Sequence, residues 1–388
     1  MARGSRPFGT RRRSATGSRV SEKVTSTLSV LVSPQDDNPY QELLYGELRK
    51  AGVRARYAEG PTRSHPVNLL VSPAMLAVHR LQGFRILDLH WVFQFSLPWA
   101  GRNQWARRVV QWWFGLYLRI ASALGYAIVW KAHDLVPHEP VFANDEQAHR
   151  DLLARAHLVI ALSPVSAHEL LARGARVVKT IPFGTYRAAE PREADRRQAR
   201  RILGLSPDEY AVVHLGNTLP YKGTDLLLTA VPQVPSDLKM RVLVVGACVD
   251  KAYEQLLKQL AEGVPDAVLL RLERVGEEEM SRNLVASDVA AFPFRAVINS
   301  SSIVNAQSFG LPVIIPDLVT LRDISSTSAL RYDGTVEGLA LTLASFPHLA
   351  PAVRRELSAA ARRFATSTDW QTVATMTLAA YHEILLPR

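Results

Sequence analysis

Three short segments of the 388-residue chain collect side chains that hold anions or move protons, and a fourth is a short Pro/Gly pattern. The first runs His214-Leu-Gly216-Asn217, then Pro220-Tyr-Lys222-Gly223, then Asp225-Leu-Leu-Leu. A strand that ends in a glycine-containing loop and opens a helix offers backbone N–H groups and a helix N-terminus to a phosphate, and Lys222 adds a full positive charge. An ordinary strand-to-helix turn would use the same residues. In the second, Asp288-Val-Ala-Ala-Phe-Pro-Phe is followed by Asn299-Ser300-Ser301-Ser302, by Asn305, and by Gly310-Leu-Pro312. The serines either cap the helix that starts there or, with its first free N–H groups, hold a diphosphate. The third is Trp130-Lys131-Ala132-His133-Asp134-Leu-Val-Pro137-His138-Glu139, a strand end leading into a polar loop. His133, Asp134, His138 and Glu139 there are candidates for substrate contact or general acid–base work. An earlier strand ends in a similar way at Asp88-Leu-His90-Trp91, although His and Asp at strand ends also cap helices. The fourth is Ile181-Pro182-Phe183-Gly184.

Two series of elements must position these segments. Apolar runs predict strands at 28–33, 68–71, 86–90, 127–131, 158–162 and 177–181, with helical stretches between several of them. Residues 41–52 show helical spacing, with Leu43, Leu44, Leu48 and Ala51 on one side, after a loop carrying Asn38 and Tyr40. A polar, charged segment at 186–200 reads as a linker running into a helix. A second series follows, with strands at 210–215, 241–245, 268–272, 289–293 and 312–315 and helices at 223–231, 251–262, 277–286 and 302–309. Strand–helix alternation of this kind predicts two α/β domains with parallel sheets covered on both faces. Their ligands would bind outside the carboxyl ends of the strands, in the cleft between the domains. Neither series opens with G-x-G-x-x-G after its first strand, which disfavours a dinucleotide-dependent dehydrogenase.

The net charge of +10 is unevenly spread. Residues 1–24 carry seven basic side chains against Glu22, so +6 of it lies in a tail also rich in Gly, Ser and Thr. Residues 1–26 are expected to be a disordered leader, with no apolar run of signal-peptide type. With only +4 elsewhere and no basic motif, nucleic-acid binding is disfavoured. The single cysteine, Cys248, excludes an internal disulfide and leaves no Cys/His cluster at zinc spacing; His133 and His138, five apart, have only Asp134 and Glu139 as nearby carboxylates, so no metal is expected. Residues 99–130 are unusual in holding Trp99, Trp105, Trp112, Trp113, Tyr117, Tyr126 and Trp130 among Arg107, Arg108 and Arg119. On a helix, Arg108, Gln111, Gly115, Arg119 and Ser122 form a narrow polar stripe. Such a helix suits an anionic membrane interface, and equally a core helix of the first domain.

The first two segments resemble the donor domain of GT-B glycosyltransferases, in particular the GT4-like (glycosyl transferases group 1) family. In that family the loop after the first donor-domain strand reads G-R-x-x-x-x-K-G; here it is Gly216-Asn217-Thr-Leu-Pro-Tyr-Lys222-Gly223. The family's E-x7-E falls on Val297 and Asn305, ahead of Gly310-Leu-Pro312, so both glutamates are replaced. The resemblance implies a GT-B architecture of two Rossmann-like domains, at 27–185 and 201–366, with residues 367–388 crossing back onto the first. It implies that Lys222 contacts the donor diphosphate, with Gly216, Asn217, Asn299, Ser300, Ser301, Ser302 and Asn305 around the nucleotide. His133 is implied near the donor sugar, and with Asp134 is the expected catalytic pair. Asn38, Tyr40, His90, His138 and Glu139 are expected on the acceptor side. The stereochemical outcome does not carry over, because Val297 lacks the carboxylate that positions the sugar.

The expected activity is transfer of a sugar from a UDP- or GDP-linked donor to a glycan or lipid-linked acceptor, without a cofactor, in the cytoplasm or on the inner face of the cell membrane. A nucleotide-sugar epimerase or a non-catalytic nucleotide-sugar-binding protein is the alternative.

Overall fold

A computed structural model describes residues 28–36, 38–58, 65–92, 103–135, 140–186 and 192–385. The basic tail, Trp99, His138, Glu139 and part of the 186–200 linker lie outside the described residues. The first sheet contains β1 (Ser29–Ser33), β2 (Arg54–Tyr57), β3 (Ile86–Leu89), β4 (Ala127–Ala132), β5 (Leu158–Ala161) and β6 (Val178–Thr180), in the order β2-β1-β3-β4-β5-β6. The second contains β7 (Tyr210–Leu215), β8 (Met240–Val245), β9 (Val268–Arg271), β10 (Val289–Ala291), β11 (Val313–Pro316) and β12 (Ala329–Tyr332), in the order β12-β11-β10-β7-β8-β9. Every strand pair is parallel. The chain order reverses between β1 and β3 and between β7 and β10, which opens a crevice at the carboxyl ends of those strands.

Central strands such as β4 and β7 are buried along their whole length, as a parallel sheet covered on both faces requires. Two strands escape the sequence reading because they lie at sheet edges. β2 is Arg-Ala-Arg-Tyr with no fully buried residue, and only the ends of β12 are buried.

Residues 68–71 are not a strand. They belong to the helix His65–Leu81, in which Leu69, Pro73 and Leu76 are buried at helical spacing while Leu70 is 63% exposed. Pro73 cannot donate to the carbonyl of Leu69. That carbonyl instead accepts from the Ser72 hydroxyl at 2.8 Å and from Trp113 Nε1 at 2.7 Å, which ties this helix to Gln104–Ala123. The helix Pro39–Lys50 buries Tyr40, Gln41, Leu44, Tyr45 and Leu48, so Leu43 and Ala51 are on its outer side instead.

The aromatic stretch divides. Ala106, Val110, Phe114, Tyr117, Leu118 and Ala121 face the core of the first domain, and Trp130 is buried in β4. Trp105, Val109 and Trp112 are exposed on the opposite face, beside exposed Arg108 and Arg119. Among the described residues no single helix is long and apolar enough to cross a membrane.

The last helix, Trp370–Leu385, joins the core of the first domain, where Trp370, Val373, Ala374, Ala380 and Tyr381 pack with Val30, Tyr40, Leu44 and Val129. Gly184 makes this possible, since a Cβ there would sit 2.6 Å from the Trp370 ring. Gly184→Ala is therefore expected to lower stability by about 1–3 kcal/mol, as overpacking does, and to loosen this helix first. Denaturant titration and protease release of the C-terminal segment would check it; unchanged protection would contradict it.

Candidate functional site

The second-domain wall is built by close backbone approach. Gly216, just past β7, has φ +104°, and a Cβ there would lie 2.8 Å from Lys222 Nζ and 2.9 Å from Ser302 Oγ. An ammonium and a hydroxyl from different loops thus converge over one glycine. Gly223, at φ +69°, lets the Lys222 loop meet the carbonyl of Pro293, and Gly246 leaves room for the carbonyl of Gly216. Arg295 braces the same loop. It makes a two-point ion pair with Asp225 at 2.8 and 2.6 Å and donates from Nη1 to the carbonyl of Pro220 and from its backbone N–H to that of Tyr221. Tyr253 also donates to Asp225, at 2.7 Å.

Lys222 is half-buried, and its ammonium makes no hydrogen bond or ion pair with the described residues. Burial pulls its ammonium down to about 8, opposed by the charge of Asp134 across the cleft. An ammonium in this state gains from an anionic ligand both charge compensation and lost hydrogen bonds. Ser300 caps the helix Ser301–Ser308, its Oγ accepting from Ile303 N at 3.3 Å. Ser302 faces the Lys222 side, so the capping serine and the serine beside the ammonium are different residues. Asn299 donates across the cleft to the carbonyls of Ala132 and His133 at 3.4 and 3.3 Å. Asn217 is exposed, and Asn305 donates to the Met280 sulfur at 3.5 Å. Val297 packs against the apolar core of its domain. His214 is structural. Its Nδ1 donates to the carbonyl of Ala291 at 2.8 Å and its Nε2 accepts from Thr224, which ties the ends of β7 and β10 together.

The first-domain wall rests on a buried polar chain. Asp88 Oδ2 accepts from Lys131 Nζ, Tyr45 OH and Tyr381 OH, all four residues being buried. Tyr45 OH lies 2.8 Å from His90 Nε2, and His90 Nδ1 lies 3.0 Å from His133 Nε2. Burial holds both histidines well below the usual imidazole range; the Lys131 charge adds to this for His90, and His90 adds to it for His133. The His133 ring stacks on Trp91, with centroids 4.1 Å apart, and meets the edge of Tyr40.

Across the cleft the His133 backbone carbonyl meets Asn299, and the charge of Asp134 acts on Lys222. Three acceptor-side expectations need correction. His90 is fully buried behind His133, where it supports the ring instead of facing a ligand. Tyr40 is not on a loop; it lies in the first helical turn, buried among His133, Phe183 and Trp370. Asn38 is the cap of that helix, its Oδ1 accepting from Tyr40 N at 3.0 Å. Asp88, Tyr45, Lys131 and Tyr381 were not singled out as site residues. The sequence signals are Lys131 and Asp88, lone charges inside the apolar runs of β4 and β3.

Residues 209–349 match the family described as Glycosyl transferases group 1. Two solved structures are similar over 92% of the chain. Anabaena Alr3699/HepE in complex with UDP and glucose gives a TM-score of 0.70 at 16% identity, over 100% of its own length. Sucrose-phosphate synthase from Thermosynechococcus elongatus gives 0.71 at 17%, over 99% of its length. The chain has the GT-B fold, and residues 209–349 of its second half resemble the group 1 glycosyltransferases. Among curated relatives, the D-inositol 3-phosphate glycosyltransferase of Mycobacterium ulcerans is 25% identical over 327 residues, 80% of this chain. The chain spans 66% of that relative's length.

The lowered Lys222 value gives the site of this GT-B chain a pH signature. Below about 8 the ammonium is charged and ready for a diphosphate; above it each bound anion must also take up a proton. Nucleoside diphosphate affinity should fall by up to about tenfold per pH unit above that point. Calorimetric titration across the range should show this slope in the wild type and a flat profile in Lys222→Met. Equal slopes in the two proteins would remove Lys222 from the site.

Proposed function

We propose that the chain transfers a sugar from a nucleoside-diphosphate sugar to a hydroxyl of an acceptor. The observation that carries this reading is the convergence of Lys222 Nζ and Ser302 Oγ over Gly216, opposite His133 and Asp134. The diphosphate lies against Lys222 and the first free N–H groups of the helix Ser301–Ser308. The acceptor hydroxyl attacks the anomeric carbon while the bond to the diphosphate breaks. Negative charge then grows on the leaving oxygen, where the lysine and the helix N–H groups are already oriented to receive it. No step in this scheme calls on a metal or an organic cofactor. His133 and Asp134 lie beside the sugar and the acceptor, and closure of the domains brings them there. The UDP in the similar Anabaena structure supports a uridine donor over a guanosine one.

The acceptor is a glycan or a lipid-linked glycan, met in the cytoplasm at the membrane face. Exposed Trp105, Val109 and Trp112 beside Arg108 and Arg119 support contact with an anionic bilayer. A second reading, nucleotide-sugar binding without transfer, is favoured by one observation: half-buried Val297 packs against the core where the family has a glutamate.

A thermal-shift screen with UDP, GDP and their sugar conjugates tests the donor site. Uridine ligands should stabilise the wild type but not Lys222→Ala, and radiolabelled sugar should appear in an added acceptor. Stabilisation without transfer to any acceptor or to water would favour the second reading. For the membrane face, the wild type should sediment with anionic vesicles at low salt and Trp105→Ala/Trp112→Ala should stay in solution; equal behaviour would end that part.

A further inference from the structure

The polar chain behind His133 has a direction, and the direction can be followed atom by atom. Asp88 Oδ2, in contact with Lys131 Nζ, is an acceptor only. The single proton of Tyr45 therefore points to Asp88, and the Tyr45 oxygen is left to accept. Its other neighbour, at 2.8 Å, is His90 Nε2, which must carry the hydrogen. A neutral imidazole has one N–H, so His90 Nδ1 is bare and accepts across 3.0 Å from His133 Nε2. The one proton of His133 is then committed as well. Burial favours the neutral form of both rings. His133 keeps 7% of its surface exposed, and no described residue bonds its Nδ1.

We infer that Asp88, Lys131, Tyr45 and His90 are positioning residues that lock His133 as the Nε2–H tautomer, so that the cleft meets a bare Nδ1 able only to accept a hydrogen bond. This rests on the donor reading of the cleft, and it gives that reading a specificity rule. The ligand group at His133 must be a hydrogen-bond donor. A sugar hydroxyl satisfies it, whereas a deoxy carbon or an ether oxygen leaves a polar nitrogen unmatched. Lys131 makes the lock one-way. Without its charge Asp88 could hold a proton, and the whole chain could reverse to place hydrogen on His133 Nδ1.

The test is a long-range proton–nitrogen correlation spectrum of the full chain labelled at histidine, with the His133 signals assigned by their loss in His133→Gln. The wild type should show a protonated Nε2 and a bare Nδ1 for both His90 and His133. Tyr45→Phe removes the acceptor for His90 and should turn His133 into a tautomer mixture. In transfer assays it should lower kcat by about tenfold while the donor KM stays within about twofold. A wild-type His133 with hydrogen on Nδ1 would overturn the inference, as would an unchanged tautomer in Tyr45→Phe. If Tyr45→Phe does not fold, the wild-type spectrum alone decides. The spectrum needs no turnover, so a failed transfer reading and a failed tautomer lock are distinguishable.

Discussion

The first domain's side of the cleft depends on the ion pair between Asp88 and Lys131, which with its two tyrosine partners joins four elements far apart in sequence. Asp88 lies in β3, Lys131 in β4, Tyr45 in the helix Pro39–Lys50 and Tyr381 in the helix Trp370–Leu385. Both charges are fully buried. Burying them costs several kcal/mol each unless the pair is well matched and its remaining hydrogen bonds are made. Two tyrosine hydroxyls supply bonds to Oδ2, while Oδ1 is buried without a partner among the described residues. An apolar pair of similar volume would give a comparable core, so the reason to keep charges here is directional. They orient hydroxyls, the hydroxyls orient imidazoles, and the last imidazole borders the cleft.

The opposite wall relies on the backbone. Where the first domain uses side chains to fix one ring, the second uses three glycines to let loops approach within contact of one another. The result is a small concavity lined by N–H groups, one hydroxyl and one ammonium. Its rigidity comes from the Arg295–Asp225 pair beneath it and from neutral His214, which Ala291 and Thr224 hold between two strand ends. A rigid cationic wall facing a wall of fixed hydrogen-bond polarity is an arrangement for distinguishing two ends of one ligand, anionic at one side and hydroxylic at the other.

Much of this was legible in the sequence for a simple reason. Buried parallel strands are continuous apolar runs, and the loops at their ends carry the polar residues, so β4 and β7 and the groups following them could be read directly. Edge strands such as Arg54–Tyr57 have no such run and went unseen. Residues 68–71 misled because a short apolar run does not reveal its period; only the spacing of Leu69, Pro73 and Leu76 distinguishes helix from strand. In the site, Lys222, His133 and Asp134 could be found from loop position. Tyr45 and Tyr381 could not, since a tyrosine on a helix looks like any amphipathic filler until the tertiary fold turns its hydroxyl towards a charge. His90 and Tyr40 were recognised as special but assigned to the wrong side of the surface.

The closing helix has a consequence for biosynthesis. Lys131 donates to Tyr381 at 2.9 Å across 250 residues of chain, and Trp370 fills the space over Gly184. As the polypeptide leaves the ribosome, the strands of the first domain emerge long before the segment that completes their polar interior. Until then Asp88 and Lys131 lack one of their hydroxyl partners and an apolar face stays uncovered. The second domain, whose strands lie within residues 210–332, has no such debt to a later segment of sheet or buried pair. The half that begins first is thus the half that finishes last, and a nascent chain halted before the final helix would present the donor wall complete and its counterpart unfinished.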